Sequence, residues 1–325
     1  QDAGGVVVVE KLAAHFQVKL AAHLGAPFLN VLGLHLDVFF AVEPDLIRHG
    51  SNSTVSPVPE GHVIHRLARR FNADFRPAPI AASSPQGRFE PSLIDGTALT
   101  HASAHGKHLF LHFTDATVHV HLGLIGKFSF EPADTLRGQI RLRLVPDGGA
   151  GETAAHLRGP QKCAYITPAE QQAILDAAGE DPLSPAADPD SLFERVRRSR
   201  RTIGSLMMDQ AYFAGVGNIY RAEPLFRQGI SPFTPGRELG RERFDAIWSD
   251  LVSLMADGVA TGRIDTVRPE HAPEAMERAP REDDHGGEVY VYRRAGEPCY
   301  VCGHPVEKQQ FEGRNLFFCP SCQAL

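Results

Sequence analysis

The chain has 325 residues, of which 42% are hydrophobic and 22% charged, a composition typical of a folded globular protein and not of a disordered one. Its formal net charge of −6 argues against a uniformly basic nucleic-acid-binding protein, but it leaves the local charge open. The apolar runs, such as 39–42, are far shorter than the ~20 residues of a membrane span. Residues 1–30 lack a cleavage-site pattern, so neither a membrane protein nor a secreted one is expected.

The first segment, 1–58, differs from the rest of the chain. It begins with Gln1 and closes on a polar, turn-prone run, Gly-Ser-Asn-Ser-Thr-Val-Ser-Pro, at 50–57. Such a run is typical of a linker. We therefore treat 1–58 as an N-terminal extension that precedes the first domain.

Residues 59–180 carry the patterns of a mostly β domain. A helix-like segment over 60–71 is followed by short segments at 107–113, 117–122 and 139–145 in which polar and apolar residues alternate. Alternation of this kind is typical of half-buried strands. The pattern predicts a β-sandwich or a barrel-like domain, which a linker rich in Pro, Asp and Ala separates from the next part of the chain.

Residues 191–258 are helical in pattern. The spacing predicts helices over 191–198, 209–213, 219–227 and 241–255, with a glycine turn at 215–218. Between 191 and 228 there are seven Arg and three acidic residues, which suits either a solvated helix face or a nucleic-acid surface. Residues 259–288 are loop-like and charged, and they suit either contacts to a ligand or a disordered tether.

Residues 289–325 form a cysteine module. Cys299-x2-Cys302 is followed after sixteen residues by Cys319-x2-Cys322, and two such pairs present four thiolates in the tetrahedral geometry that structural Zn²⁺ prefers. A closed four-sulfur site folds the module and does not catalyse. A redox or iron–sulfur use of the thiols is the alternative. A hairpin is predicted between the pairs, over 306–312 and 315–318 and around Gly313-Arg314.

Three weaker signals remain open. The glycine turn Gly215-Val-Gly-Asn218 can bring backbone N–H groups to a phosphate or serve packing alone. Histidines alternate along the predicted strands at 108, 112, 119 and 121, but no third ligand stands at a spacing that suggests a metal. Cys163 stands alone and suits a buried structural thiol.

Five motifs in order carry a family resemblance. They are Pro-Glu-Gly-His-Val-Ile-His-Arg at 59–66, Gly-Lys-His-Leu at 106–109, His-Leu-Gly-Leu at 121–124, the Met-Asp-Gln and Ala-Gly-Val-Gly-Asn-Ile-Tyr-Arg-Ala-Glu pair within 208–223, and the four-cysteine module. Together they resemble the formamidopyrimidine-DNA glycosylase / endonuclease VIII family over residues 59–325. The Pro-Glu-Gly-His opening resembles the endonuclease VIII branch, especially its actinobacterial members.

The resemblance implies a multidomain α+β fold. A β-sandwich over 59–180 would be followed by a helix–two-turn–helix DNA-binding domain over 191–258, a loop over 259–288 and a zinc finger over 289–325 holding one structural Zn²⁺. The implied activity is that of a bifunctional DNA glycosylase/AP lyase of base excision repair, which excises oxidised bases, in this branch pyrimidines, and nicks the strand by β/δ-elimination. Its partner would be double-stranded DNA with an oxidised base or an abasic site, bound by a monomer in the bacterial cytoplasm at the nucleoid.

The resemblance also assigns the catalytic residues. Pro59 would be the nucleophile that forms a Schiff base with C1′ of the damaged nucleotide, Glu60 the general acid/base that assists sugar-ring opening, and Lys107 a contact to phosphate near the lesion. The chemistry is consistent with these roles. A terminal amine titrates near ~8, well below lysine, and a neighbouring carboxyl group can transfer protons.

Three further residues are assigned to DNA binding in the same way. Asn218 and Arg314 would hold the backbone from the glycine turn and from the zinc-finger hairpin, contacts that position a strand without reading its sequence. Leu124 matches the position from which a side chain fills the gap left by the flipped base. Such an apolar wedge offsets part of the cost of unstacking.

The sequence departs from the family at the nucleophile, because Pro59 follows Val58. The nitrogen of an internal proline is an amide whose lone pair is delocalised, so it cannot form a Schiff base. A valine codon can initiate translation in bacteria, which predicts that 1–57 is spurious upstream sequence. The alternatives are an extension removed by proteolysis, a non-catalytic binder of damaged DNA that retains it, and an enzyme that uses Lys107 or another amine.

Overall fold

The computed structural model describes residues 59–147, 153–282 and 287–324. The predicted extension over 1–58 lies outside the described residues, so its nature stays a prediction.

The first part of the described chain is one helix followed by an antiparallel sheet. Helix α1 spans Gly61–Asp74, close to the predicted 60–71. Eight strands follow, with the bounds β1 Pro79–Ser83, β2 Thr97–His105, β3 His108–Phe113, β4 Thr117–His121, β5 Lys127–Pro132, β6 Ile140–Pro146, β7 Thr153–Arg158 and β8 Lys162–Ile166.

The eight strands form one sheet in the order β5-β7-β6-β1-β2-β3-β4-β8. Strand β1 links the two halves, because Ile80 pairs with Thr97 of β2 on one edge and with Pro146 of β6 on the other. The inward residues of both halves and the apolar stripe of α1 share one hydrophobic core. This stripe follows from helical spacing, since Ile64 and Phe71 lie on one face and are fully buried.

The second part of the described chain is helical. It comprises α2 Pro168–Ala177, α3 Pro189–Val196, α4 Ile203–Leu206, α5 Asn218–Arg227 and α6 Arg241–Thr261, with short 3₁₀ turns at Gly236–Glu238 and Pro269–His271. Side chains cap the first three of these helices: Thr167, Asp188 and Thr202 each accept a hydrogen bond from a backbone N–H of the first turn.

Two helix predictions are wrong in their bounds. The helix predicted to begin at Ser191 begins at Pro189, since Asp188 provides the cap and bonds the Ser191 N–H. The segment predicted as a helix over 209–213 is a turn, in which the carbonyl of Asp209 accepts from Tyr212 and Phe213. The helix of this region lies earlier, at Ile203–Leu206.

Helix α6 extends beyond the predicted end at Met255 and stops at Gly262, which adopts a φ of +78°. Arg66 of α1 covers this end, because its Nη1 donates to the carbonyls of Val259 and Ala260 at 2.9 and 2.7 Å. A cation at a helix C-terminus offsets the negative end of the helix dipole. The contact also ties α1 to the helical part.

The segment after α6 is fixed by a buried carboxylate. Glu223 of α5 is fully buried and accepts hydrogen bonds from the backbone N–H groups of Tyr290, Val291 and Tyr292 at 2.7–2.9 Å. It also accepts from the hydroxyl of Thr266 at 2.6 Å. One helix therefore fixes both ends of the segment that leads into the cysteine module.

The cysteine module carries a hairpin of β9 Glu307–Phe311 and β10 Arg314–Phe318. Its turn is Glu312-Gly313, where both residues have positive φ, +48° and +75°. The predicted turn was one residue later. Positive φ at both positions is the geometry of a type I′ turn, one of the two common turns of two-residue hairpins, and it favours glycine at position 313. Val306, Phe317 and Cys319 belong to the same core as the helices.

Candidate active site and DNA-binding surface

The carboxylate of Glu60 lies at the N-terminus of α5. It is 2% exposed and accepts hydrogen bonds from the N–H groups of Gly217, Ile219 and Tyr220 at 3.0, 2.9 and 3.3 Å. These are N–H groups that a helix leaves without an internal partner. The sequence left the glycine turn open between phosphate binding and packing, and in the structure these N–H groups bind a carboxylate of the chain itself.

Three glycines form the seat of this site. The N–H of Gly61 donates to the carbonyl of Gly215 at 2.8 Å. A Cβ built on Gly61 would lie 2.9 Å from Cα of Gly215, and a Cβ built on Gly106 would lie 2.9 Å from the nitrogen of Gly215. The backbones touch, so side chains are excluded at these positions. The close packing of Gly61 and Gly106 on Gly215 brings the segments that carry Glu60 and Lys107 to the glycine turn at 215–218.

Lys107 lies in the two-residue turn between β2 and β3, where His105 pairs with His108. Gly106 begins the turn with a φ of +55°. Burial lowers the pKa of Lys107, the charge of Arg314 lowers it further, and the charge of Glu60 opposes both. The structure thus places three predicted site residues within one electrostatic neighbourhood.

Burial raises the pKa of Glu60 above its ordinary value, against the opposing charge of Lys107 and the three backbone hydrogen bonds. The pKa shifts of Glu60 and Lys107 both favour the uncharged forms. Each shift moves the pKa from its ordinary value in the direction of neutral pH, which suits a role in proton transfer.

Pro59 lies directly before Glu60 and is buried. It lines a cleft of about 140 Å³ together with Val63, Leu122, Lys127 and Phe128. The walls are mostly apolar, and they come from α1, from the β4–β5 connection and from the start of β5.

Leu124 lies in the β4–β5 connection, next to the cleft that Pro59 lines. Its side chain is 59% exposed, and that of the following Ile125 is 73% exposed. Apolar side chains as exposed as these are not packed in the hydrophobic core, and two of them side by side are typical of a contact surface. The side chain of Leu124 is therefore free to contact a ligand outside the protein. Ile125 is a second exposed apolar side chain, and the sequence patterns did not point to it.

Asn218 is the first residue of α5, and it joins the helix to the zinc-finger hairpin. Its Nδ2 donates to the carbonyl of Asn315 at 2.9 Å. Arg221 donates to the same carbonyl at 3.0 Å and to the side chain of Asn218. Arg221 was one of seven arginines in the basic segment, and no local signal distinguished it.

Arg314 is exposed at the start of β10. It lines a cleft of about 210 Å³ with Arg201, Arg221, Asp209 and Glu312. Burial and the nearby Arg314 lower the pKa of Arg221 to about 10. Three Arg and two acidic residues line this cleft, which we call the basic cleft. Arg314 lines it directly, and Asn218 is linked to it through the hydrogen bond from Arg221.

Asp181 is a site residue that sequence reasoning missed. It is 1% exposed and accepts hydrogen bonds from His65 Nε2 and from the Gly106 N–H, both at 2.7 Å. It lies in the Pro- and Asp-rich linker, where a single Asp carries no signal. Its partners are distant in sequence and become visible only in the fold.

The four cysteines form one cluster. Their ligand atoms all lie within 4.8 Å of one another, with Sγ–Sγ distances of 3.9 Å for Cys299–Cys322 and 3.5 Å for Cys302–Cys319. Tetrahedral Zn–S bonds of about 2.3 Å require sulfurs about 3.8 Å apart. The donor set therefore fits one structural Zn²⁺, as predicted.

The other metal candidate does not assemble. Within residues 59–147, 153–282 and 287–324, the four cysteines are the one group of three or more ligands close enough to hold an ion. His108 and His119 are instead hydrogen-bonded to each other at 2.9 Å. Burial raises the pKa of Cys163 to about 12, which makes it an inert thiol.

Known proteins match the chain in all three of its parts. The N-terminal domain of formamidopyrimidine-DNA glycosylase matches residues 53–165, and the H2TH domain of the same protein matches 178–269. The zinc finger found in FPG and IleRS matches 296–325.

Two curated relatives show the degree of similarity. Endonuclease 8 1 of Mycobacterium tuberculosis is 48% identical over 278 residues, which cover 82% of this chain and 100% of the relative. Formamidopyrimidine-DNA glycosylase of Methylococcus capsulatus is 31% identical over 238 residues, which cover 71% of this chain and 83% of the relative.

Solved structures share the fold. The crystal structure of MutM (Fpg) from Thermus thermophilus has a TM-score of 0.64 at 27% identity, over 82% of this chain and 98% of that one. Lactococcus lactis Fpg in complex with abasic-site DNA has a TM-score of 0.65 at 18% identity, over 82% and 100%.

The fold, the four-cysteine cluster and these matches define a DNA repair glycosylase with a zinc finger. The chain belongs to the formamidopyrimidine-DNA glycosylase / endonuclease 8 family. Among its described helices, none is both long and apolar enough to cross a membrane.

Proposed function

We propose that this protein is a bifunctional DNA glycosylase/AP lyase that excises oxidised pyrimidines through a Schiff base on Pro59. The observation that carries the proposal is the position of Glu60. Glu60 follows Pro59 directly, and its buried carboxylate accepts hydrogen bonds from the N–H of Gly217 and from two N–H groups of the first turn of α5. The charge of Lys107 lowers the pKa of Glu60 against the larger effect of burial.

The proposed reaction begins with attack of the Pro59 nitrogen on C1′. The C1′–N bond to the base breaks, the base leaves with a proton, and Glu60 donates a proton to O4′ as the sugar ring opens. The product is an iminium ion between Pro59 and C1′. Loss of the C2′ proton then expels the 3′-phosphate, and a second elimination expels the 5′-phosphate. Ring opening leaves Glu60 ionised, so its carboxylate is the group that accepts the C2′ proton. The raised pKa of Glu60 suits its first role as the proton donor to O4′.

The amine must be free for this reaction. In the 325-residue chain Pro59 is joined to Val58, and an amide nitrogen cannot attack. We therefore propose that the active form begins at Pro59. The whole length of the relative from Mycobacterium tuberculosis matches 82% of this chain. This share is consistent with the proposal, because 59–325 comprises 267 of the 325 residues.

The proposed partner is double-stranded DNA with an oxidised base or an abasic site. Asn218, Arg314 and Lys107 would contact phosphates, and Leu124 would fill the gap that the flipped base leaves. The apolar cleft beside Pro59 would receive the sugar and base. The resemblance of the Pro-Glu-Gly-His opening to the endonuclease VIII branch is the reason for proposing oxidised pyrimidines over oxidised purines, and the 48% identical relative is named Endonuclease 8 1. We propose that the protein acts as a monomer at the bacterial nucleoid in the cytoplasm.

A second candidate is a non-catalytic protein that binds damaged DNA. The peptide bond between Val58 and Pro59 favours it, since a chain that retains residues 1–58 keeps the binding side chains while its nucleophile is blocked. A third candidate is catalysis by Lys107, whose pKa burial lowers. Under this candidate a Pro59→Gly protein, beginning at residue 59, would keep its lyase activity and Lys107→Ala would lose it.

Base excision tests the proposal. Protein that begins at Pro59 is incubated with duplexes that carry one 5-hydroxyuracil or one 8-oxoguanine, and released base and strand cleavage are both measured. The proposal predicts release of 5-hydroxyuracil together with strand cleavage. Binding without base release would support the non-catalytic candidate, and a preference for 8-oxoguanine would contradict the substrate assignment.

A further inference from the structure

The buried carboxylate of Asp181 joins three parts of the molecule. Its Oδ2 accepts from His65 of α1 and from the Gly106 N–H of the β2–β3 turn, both at 2.7 Å, and its Oδ1 accepts from the Leu183 N–H at 2.9 Å. At 1% exposed, it leaves no room for water to replace these contacts. Loss of the carboxylate would therefore leave buried N–H groups without a hydrogen-bond acceptor, which is unfavourable.

The turn that Asp181 bonds is the one that presents Lys107. Gly106 directly precedes Lys107, and its other side is closed by Gly215, whose nitrogen lies 2.9 Å from the place of a Cβ. Its N–H points to Asp181. The turn is therefore held from two sides, and its remaining freedom is small.

The segment that carries Asp181 is itself fixed to the chain before the glycine turn. Gly179 N–H donates to the carbonyl of Gln210 at 2.8 Å, Glu180 N–H donates to that of Tyr212 at 3.0 Å, and Ala214 N–H donates to that of Glu180 at 2.9 Å. These hydrogen bonds and the one from Gly106 to Asp181 thus connect the chain before the glycine turn to the turn that carries Lys107.

We infer that Asp181 is a positioning residue. It fixes the position of Lys107 relative to the glycine turn through Gly106, and it fixes the position of the first turns of α1 through His65. The inference rests on the proposed roles of Pro59 and Lys107. Burial alone would raise the pKa of Asp181, but hydrogen bonds from His65, Gly106 and Leu183 outweigh it and hold the pKa below its ordinary value. The carboxylate is therefore ionised at neutral pH, and its replacement by an amide removes both a charge and an acceptor.

The test uses protein that begins at Pro59 and compares Asp181→Asn with wild type. Asp176→Asn is the matched control, because Asp176 is an exposed Asp that bonds only a side chain of its own helix. The rate of borohydride cross-linking to abasic duplex is measured in single turnover across pH, together with DNA affinity and thermal stability. We expect the rate to fall roughly tenfold or more, because misplacement by a fraction of an ångström is costly in catalysis. Affinity should fall much less than the rate, because Lys107 is one of several proposed phosphate contacts. The pH of the maximal rate should shift, since Lys107 loses its placement beside Glu60.

A second pair of variants keeps the inference testable if Asp181→Asn does not fold. His65→Ala removes one donor and should slow the reaction, and His65→Gln, whose amide can donate to Asp181, should recover most of the rate. Equal rates in Asp181→Asn and wild type contradict the inference, as does a loss of affinity that matches the loss of rate. A wild type that forms no cross-link contradicts the proposed function and this inference together, whereas a wild type that cross-links beside an equally reactive Asp181→Asn contradicts this inference alone.

Discussion

The carboxylate of Glu60 occupies the space that a side chain at Gly217 would need. Its Oε2 lies 3.0 Å from the Gly217 nitrogen, and a Cβ at residue 217 would lie 2.4 Å from Glu60 Cδ. The glycine turn before α5 is thus shaped around the proposed general acid/base. Glycine is required here by close approach and not by a positive φ, since Gly217 has a φ of −123°.

Gly217→Ala is expected to displace the Glu60 carboxylate. Overpacking of this kind costs about 1–3 kcal/mol, and the loss of the N–H contacts should reduce cross-linking to abasic DNA strongly. Gly240→Ala is the control, because a Cβ at Gly240 meets nothing within 4 Å. Urea denaturation and single-turnover trapping measure the two effects, and equal behaviour of both variants would contradict the account.

The raised pKa of Glu60 gives stability a defined pH dependence. The folded protein holds this proton at a higher pH than the unfolded chain, so the contribution to the free energy of unfolding is fully present below the ordinary pKa of 4.5. It is lost as the pH rises through the folded pKa. The stability of wild type relative to Glu60→Gln should therefore fall between acidic and neutral pH. Denaturation of both proteins across this range measures it, and a relative stability that rises with pH would show that the fold favours the ionised carboxylate.

Arg314→Ala is expected to weaken binding to all duplexes alike. A lost phosphate contact lowers the slope of log affinity against log salt by about 0.9. Lys308→Ala is the control, since Lys308 is an exposed cation of the same hairpin that does not line the basic cleft. Fluorescence anisotropy at several salt concentrations separates the two variants. An unchanged slope for Arg314→Ala would remove Arg314 from the DNA contacts.

Leu124→Ala is expected to slow excision from duplex DNA without a change in thermal stability. The side chain is 59% exposed, so its removal leaves no cavity, whereas the loss of a wedge makes base flipping more costly. Leu136→Ala is matched to it, with 62% exposure. The rate loss should be smaller on single-stranded substrate, where no stack has to be opened. An equal loss in both variants would argue for a general surface effect.

Local patterns in the sequence predict those features whose partners are close along the chain. Each Cys-x2-Cys pair, the apolar stripe of α1 and the alternation of β3 depend on spacings of two to four residues, and the two cysteine pairs are only sixteen residues apart. Their prediction needs only the geometry of one helix, strand or metal site. The structure adds small shifts at element ends, such as the hairpin turn at Glu312-Gly313.

Such local patterns do not predict the contacts that build the site, because those contacts join residues that are far apart in the sequence. Glu60 meets Gly217, which is 157 residues away, and His65 meets Asp181, which is 116 residues away. Nothing near Asp181 or Arg221 in sequence distinguishes it from the other acids of the linker or the other arginines of the basic segment. The family resemblance supplied roles for Glu60 and Lys107, and the fold shows how the backbone of Gly61, Gly106 and Gly215 brings them together.

The most direct test of the central claim is borohydride cross-linking to a duplex with one abasic site, with the 325-residue chain and a protein that begins at Pro59 measured side by side. If Pro59 is the nucleophile, a covalent complex is expected with the shorter protein alone, because only there is the Pro59 nitrogen a free amine. A cross-link of equal yield with the intact longer chain would show that another amine reacts. No cross-link with either protein, together with tight binding by both, would contradict the catalytic assignment.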